Sequence, residues 1–502
     1  MLLCTGVTCG AWLSQAWRSQ PVSGRDPGAM FIFVPQERGS GMSNNTSAVQ
    51  LERKLGPWML WGLGVGYVIS GMYFGWNLGL EKGGTLGLAV ATLFIIVMYL
   101  TFTFSYTELA CAIPKAGGVF DYATKGLGKD LGFIAGMAQV IEFVFAPPAI
   151  AAAIGAYFHL FLPDVPVMAI AVAAYVVFTA LNIYGVQAAA RFELFVTVLA
   201  VAELLIFAGV TAPGFSLEKI TVNALPNGWG GAFAAIPFAI WFFLAIEGVA
   251  NVAEETINPQ RNILIGFGAA ILTLVALAII TFATSVGVNG WEAIVYPTPG
   301  AAASDSPLPL ALAHVVGDNH LLYHMLIFIG LFGLVASFHG IILAAGRAVL
   351  ELGRVGYMHP ALGKVSPRFK TPMNALLFNL VIGIIALMSG KTGEIITIAV
   401  FGALVLYIIS LITIFALRKN HPHMARPFKT PFYPVAPAIG LVIAVVAFAA
   451  VIYYNQSLAL IFGAIMAAAF VYYKLFASKD ALVEQVLAMP AAVEVKPVRI
   501  DD

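Results

Sequence analysis

The sequence predicts an all-α integral membrane protein of twelve transmembrane helices: two inverted sets of five, with two more helices at the C-terminal end. Composition, the number of long apolar runs, and matched interruptions in two of those runs carry the prediction. Of 502 residues, 60% are hydrophobic and 10% are charged, whereas an average soluble domain is about 25% charged. A water-facing surface of this size would need the missing charges, so the solvent that suits the chain is lipid. The net charge of +1 gives no basic excess to hold nucleic acid. Cys4, Cys9 and Cys111 match no metal or disulfide framework, and no cofactor is expected.

A helix that crosses the hydrocarbon needs about 20 apolar residues. Such runs fall at 57–80, 86–111, 131–161, 165–187, 194–213 and 231–253 in the first half of the chain. In the second half they fall at 263–287, 321–346, 373–389, 394–417, 433–453 and 457–474. The uncharged stretch from Thr430 to Tyr473 is long enough for two crossings, with Asn455-Gln456 as the hairpin. If the N-terminus is cytoplasmic, 23 of the 26 Lys and Arg residues lie inside, leaving only Lys82, Lys219 and Lys391 outside. Both termini are therefore expected in the cytoplasm, with the chain in the inner cell membrane. Residues 1–51 read as a disordered cytoplasmic extension or a misassigned start, with Met42 a natural beginning. Residues 52–476 read as the membrane domain and 477–502 as a cytoplasmic tail. The Asn44-Asn45-Thr46 sequon falls on the cytoplasmic side, where glycosylation is not expected.

Two runs have the composition of interrupted helices. The first contains Gly62, Gly64, Gly66, Gly71, Gly75 and Gly79, with Ser70-Gly71 near its middle; the sixth contains Pro237 and Gly248, with Glu247 beside that glycine. These are the first helices of successive five-helix sets and cross in opposite directions. Corresponding breaks in inverted halves are the mark of a secondary transporter with its site at the midplane. The competing reading is that the glycines only allow close helix packing.

Glu142, Glu203 and Glu247 lie inside otherwise uncharged runs. A carboxylate at the bilayer centre costs about 2.5–3.5 kcal/mol on an insertion scale, so none is expected to face lipid. No Lys or Arg lies at similar depth. The partner is then a proton, a polar group, or a cationic substrate. Glu247 is the strongest site candidate because it sits at the expected break; the alternative is a protonated acid bonded to a backbone carbonyl. Glu142 carries the same alternatives, and Pro147-Pro148 beyond it mark a second irregular helix. Glu203 is a candidate for ion coupling. His339 faces either a cavity or its packing neighbours. Tyr73, Phe74, Trp76, Trp241, Phe242 and Phe243 flank the breaks, as gate aromatics or as a box for an ammonium group. His159 and Asp164 have an HxxxxD spacing without any accompanying acyl- or phosphate-binding motif, and no Walker loop is present, so neither an acyltransferase nor an ATP-driven pump is expected.

Four motifs occur in order: GVGYVISGMYFG in run one, YTELACAIPKAGGVFDY after run two, FLAIEGVANVAEETINPQRNI through run six, and RPFKTPFYPVAP before run eleven. Together they resemble the amino acid–polyamine–organocation transporters over residues 52–476. The resemblance implies a five-plus-five inverted repeat shared with the leucine transporter, alternating access, and a first-helix break around Ile69-Ser70-Gly71-Met72. Within that family, YVISGMYFGWNLGLEKGG and FFLAIEGVANVAEE are most similar to bacterial ethanolamine permeases. The implied function is uptake of a small primary amine, with a neutral amino acid as the alternative substrate. The implied site comprises Ile69, Ser70, Gly71, Met72, Glu142, Ile246, Glu247 and Gly248: the ammonium near Glu247 and Glu142, the hydroxyl on the backbone opened at Ser70-Gly71. Proton-coupled members often carry a lysine in the fifth helix; run five here has Glu203 and no lysine. Protons are a candidate coupling partner through a glutamate.

Overall fold

A backbone amide in lipid has no water to bond, so an apolar run that crosses must satisfy its own hydrogen bonds as a helix. The structure, a computed structural model, describes residues 53–184 and 189–477. Ten helices among these residues are long and apolar enough to cross a membrane. The extension expected over 1–51, its sequon, and the tail from 478 onward lie outside the described residues.

The first run forms α1 (Pro57–Val68) and the short α2 (Ser70–Tyr73). The next helix, α3 (Asn77–Ala112), begins earlier than the 86 read from sequence, because the backbone turns inside it at Gly84, with φ +63°. A side chain there would also meet Pro226 Cδ at 2.4 Å, so only glycine fits. The connection after α3 holds α4 (Val119–Leu127), followed by α5 (Lys129–His159), α6 (Val167–Tyr184) and α7 (Ala189–Thr211). Contrary to the irregularity expected at Pro147-Pro148, α5 continues through both prolines as one helix. After α8 (Leu217–Thr221), run six divides into α9 (Gly228–Ala234), α10 (Ile236–Trp241) and a 3-10 stretch, Ile246–Glu255.

The second half opens with α11 (Pro259–Asn289), then the short α12 (Trp291–Val295) and α13 (Pro307–Val316). It continues with α14 (Leu321–Arg354), α15 (Met373–Leu387), α16 (Thr392–Asn420), α17 (Val435–Tyr454) and α18 (Gln456–Phe476). Asn455 alone separates the last two, where the hairpin was expected. Two expected runs fall short of the length of a plain crossing helix: the interrupted first, and α15 with 15 residues.

The helices divide into core and rim. Of its most apolar window, α5 buries 89% inside the protein, and α18 only 11%. Exposed Leu93, Leu272, Val381 and Val442 make an apolar outer surface suited to lipid. At the far end of α3 from Gly84, Glu108 is buried and accepts from Arg418 Nε at 2.9 Å, Arg418 Nη2 at 2.6 Å and the Thr430 amide at 2.6 Å. One carboxylate thus ties α3, α16 and the loop before α17 together.

Asp121 in α4 is buried and accepts the Gly117 amide at 3.1 Å. Burial pushes its carboxyl up from 3.8 to about 7, helped by Glu351 and Glu254 and opposed by Lys115 and the Gly117 amide. The folded state therefore binds this proton more tightly than the unfolded chain does. Stability from Asp121 is full below pH about 4 and is lost as pH rises to about 7, by up to about 4 kcal/mol. Melting of the purified protein followed from pH about 4 to 7 is expected to show this decline, and Asp121→Asn is expected to flatten it.

Candidate binding site

Run six opens between Trp241 and Ile246. Residues 242–245 make turns, and Ala245 adopts a left-handed conformation, φ +73° and ψ 10°, unusual for a residue with a side chain. Glu142 on α5 holds that strained point: its Oε1 accepts the Ala245 amide at 3.1 Å. Glu247, two residues further, accepts the Tyr407 hydroxyl on Oε2 at 3.1 Å. Tyr407 lies 3.0 Å from the hydroxyl of Tyr99, which donates to Ile240 O at 3.4 Å, a carbonyl at the lip of the break.

Glu142 and Glu247 are each 0% exposed and close enough to interact directly. Neither makes an ion pair among the described residues, and Glu142 Oε2 and Glu247 Oε1 have no hydrogen-bond partner. Buried polar atoms are nearly always bonded, and two orphaned carboxyl oxygens at one place need a cation, a proton, or both. Ile246 and Gly248 border this pair. The Gly248 position lies against the Tyr67 ring, where an added Cβ would come within 2.8 Å of Cδ2. Gly402 on α16 permits the same intimacy from the other side: a Cβ there would be 2.8 Å from the Glu142 amide.

The first run is interrupted twice, and not quite where the sequence placed it. Ile69 keeps helical angles, but the Ser70 amide donates to Ser337 Oγ of α14 at 2.9 Å. The Ser337 hydroxyl in turn donates to Gly66 O at 2.6 Å. A serine from another helix is thus inserted into the i to i−4 ladder, a recognised cause of helix bending. The open backbone lies later, at Phe74, which is fully extended, and Gly75, with φ +87°. Asn77 covers it by accepting the Gly75 amide at 3.0 Å and donating to Ser304 O at 2.7 Å. The Met72 amide is bonded to Ile69 O at 2.9 Å. Gly71 serves close approach: a Cβ there would lie 2.4 Å from Trp241 O, so the two broken runs touch backbone to backbone. Gly71→Ala is expected to cost about 1–3 kcal/mol of stability and to impair transport by prising these segments apart, read by melting temperature and uptake together.

The aromatic residues of the two runs pack on one another across the breaks. Trp76 stacks on Phe242 at 5.6 Å, and Phe74 meets Trp241 edge to face at 5.4 Å. Tyr73 donates to Glu203 Oε2 at 2.7 Å, and its carbonyl accepts the Tyr157 hydroxyl at 2.9 Å. Glu203 is therefore beside Tyr73, among the aromatics at the breaks, rather than beside Glu142 and Glu247. Tyr73, Tyr157 and Glu203 border a cavity of about 10 Å³ closed by Leu308 and Pro309 at the start of α13, room for about one water. His339 is held by Asn182, with 3.0 Å between Nδ1 and Nδ2. His159 lies 2.9 Å from Val165 O through Nδ1, a contact that closes the loop after α5.

Sequence reading missed two parts of this arrangement. Tyr99 and Tyr407 are not singled out by the sequence, and nothing in their spacing signals that they meet. Glu193 lay one residue outside the run drawn as 194–213, but α7 starts at Ala189 and turns Glu193 inward, where it is 2% exposed.

A family model described as amino acid permease matches residues 55–476. An uncharacterized transporter of Rhizobium meliloti is 29% identical, covering 82% of this chain and 90% of that protein. The branched-chain amino acid permease BcaP of Bacillus subtilis is 26% identical, covering 78% and 86%. The low-affinity putrescine importer PlaP of Escherichia coli is also 26% identical, covering 79% and 88%. With interrupted apolar helices around a buried acidic pair and a match spanning nearly all the described residues, the chain belongs to the amino acid permease family, and it is a multi-pass membrane transporter rather than an enzyme.

Proposed function

We propose that this permease imports a small primary amine, ethanolamine, across the inner cell membrane by alternating access. The observation that carries the reading is the pair Glu142 and Glu247, buried at the break of run six with, among the described residues, one unpartnered oxygen each and no basic side chain bonded to either. A single ammonium together with one retained proton balances two adjacent carboxyls. A diamine would place its second charge away from them. The first run offers limited support for an amine over an amino acid: the Ser70 and Met72 amides are already bonded to Ser337 and Ile69, so these two are not free to hold a substrate carboxylate. For the same reason the substrate hydroxyl is assigned away from the Ser70 amide, and the Ile69–Met72 segment contributes to the shape of the site through its contact with Trp241.

In this reading the chain crosses twelve times with both termini in the cytoplasm. The interrupted first and sixth runs are the moving pair of a five-plus-five inverted repeat, and they rock against their surroundings to expose the site to either side. The names of the relatives cover both an amine and neutral amino acids, so they leave the choice of substrate to experiment. The test is uptake of radiolabelled ethanolamine into proteoliposomes, with unlabelled alanine and serine as competitors. Saturable uptake that neither amino acid suppresses is the expected result. Absence of ethanolamine uptake, with robust uptake of alanine or serine, would move the protein to the neutral amino acid reading.

A further inference from the structure

Glu193 is a buried acid to which neither the substrate reading nor an ion pair among the described residues gives a task, and its surroundings are unlike those of Glu142, Glu203 or Glu247. Among the described residues its Oε1 has no hydrogen-bond partner. That oxygen points into a cradle made by two glycines on different helices. A Cβ added to Gly66 of α1 would lie 2.4 Å from it, and a Cβ added to Gly340 of α14 would lie 3.3 Å from it. Any larger residue at Gly66 would displace the carboxyl. The carboxyl also borders a cavity of about 40 Å³, enough for one or two waters, shared with Tyr67, His339, Arg347 and Glu255.

The charged and titratable groups facing this cavity come from four elements, and their pairing leaves Glu193 out. From α14, Arg347 is engaged by Glu255, at the exit of run six, at 2.7 Å. His339, also from α14, is held through Nδ1 by Asn182 of α6. Tyr67 of α1 lies against Gly340 and Gly248 and is wholly enclosed. An ionised Glu193 here would be a buried, unpaired charge, whereas the neutral acid fits. Its position matters as much as its isolation. It abuts Gly66, whose carbonyl receives the Ser337 hydroxyl that bridges the first interruption of run one.

We infer that Glu193 is a proton-binding site in its own right, separate from the substrate site, and that its proton occupancy decides whether α1 can pack against α7 and α14. With the proton bound, the carboxyl is neutral and the three helices close on it. When the proton leaves, the carboxylate draws water through the cavity and α1 separates from α7. The proton is carried and released unchanged, with no covalent step. The inference rests on the chain being a permease and not on which substrate it carries.

Infrared pH-difference spectroscopy of the purified full-length protein in lipid, without substrate, tests it. A carboxylic-acid carbonyl band that disappears on alkalinisation is expected in the wild type, to be lost in Glu193→Gln and displaced, not lost, in Glu193→Asp. His339→Gln is expected to leave it in place. A spectrum unchanged by both Glu193 substitutions overturns the inference, and Glu193→Asp alone decides the matter if Glu193→Gln fails to fold. In proteoliposomes, Glu193→Gln is expected to lower accumulation driven by a proton gradient by about tenfold or more, within the usual range of coupling strengths, while exchange at equal pH stays within about twofold. Gradient-driven accumulation equal to wild type also overturns it. If wild type takes up no ethanolamine at all, the amine reading fails on its own and the infrared result still decides the role of Glu193.

Discussion

Replacing Glu247 by Gln is expected to weaken ethanolamine uptake by about 10²- to 10³-fold. Removing one partner of a buried charged pair costs about 3–5 kcal/mol, and each 1.4 kcal/mol is about tenfold in affinity. Gln keeps the volume and can still accept the Tyr407 hydroxyl, so the fold is expected to survive and the loss to fall on substrate affinity. Glu142→Gln is expected to lose as much or more, because in the proposed site it removes an ammonium partner and weakens the clamp on the Ala245 amide at the same time. Uptake measured against substrate concentration, with melting temperature as the control for folding, separates the two effects. Unchanged uptake in Glu247→Gln would remove this carboxyl from the site.

Glu108→Ala is expected to have the largest effect on stability of any single substitution at the end of the bundle where α3 meets α16. It strands Arg418, whose guanidinium is held in two places by the carboxylate, and leaves the buried Thr430 amide without its acceptor. Arg426 Nε, 3.4 Å from the same carboxylate, loses its counter-charge as well. The expected cost is about 3–5 kcal/mol, visible as a large fall in melting temperature. Glu108→Gln is expected to recover only a part, since it still accepts but leaves both arginines without a counter-charge. Equal stability of Glu108→Ala and wild type would mean that packing and the Arg426 bonds to Leu417 O, His421 O and Met424 O hold the loop to α16 without the carboxylate.

Membrane position was legible in the sequence because lipid imposes a length and a polarity that no local detail can hide. The interruption of run six was legible for a similar reason, since a carboxylate between apolar residues declares that its helix faces the interior. The first run was harder. Six glycines announced irregularity there without saying which glycine packs and which bends. Gly66 and Gly71 turn out to admit close neighbours, and Gly75 takes the positive φ. The insertion of Ser337 depends on a residue 267 positions away from Ser70, and no pattern within either helix signals it. Glu193 was hidden by the two or three residues of uncertainty at a helix end, which were enough to put it with exposed Arg191 rather than inside the bundle.

The serine that joins Gly66 O to Ser70 has a mechanical consequence. In an unbroken helix the two ends of that link belong to one rigid rod, and a tilt of either end moves the other. Here the link passes through α14, so α1 and α2 are joined at a pivot fixed to a neighbour. Two single-centre bonds meeting at one hydroxyl oxygen can change their mutual angle while both stay made. α14 is therefore the fulcrum of the first run, about which α1 can swing as a lever while the far side of the interruption holds its place.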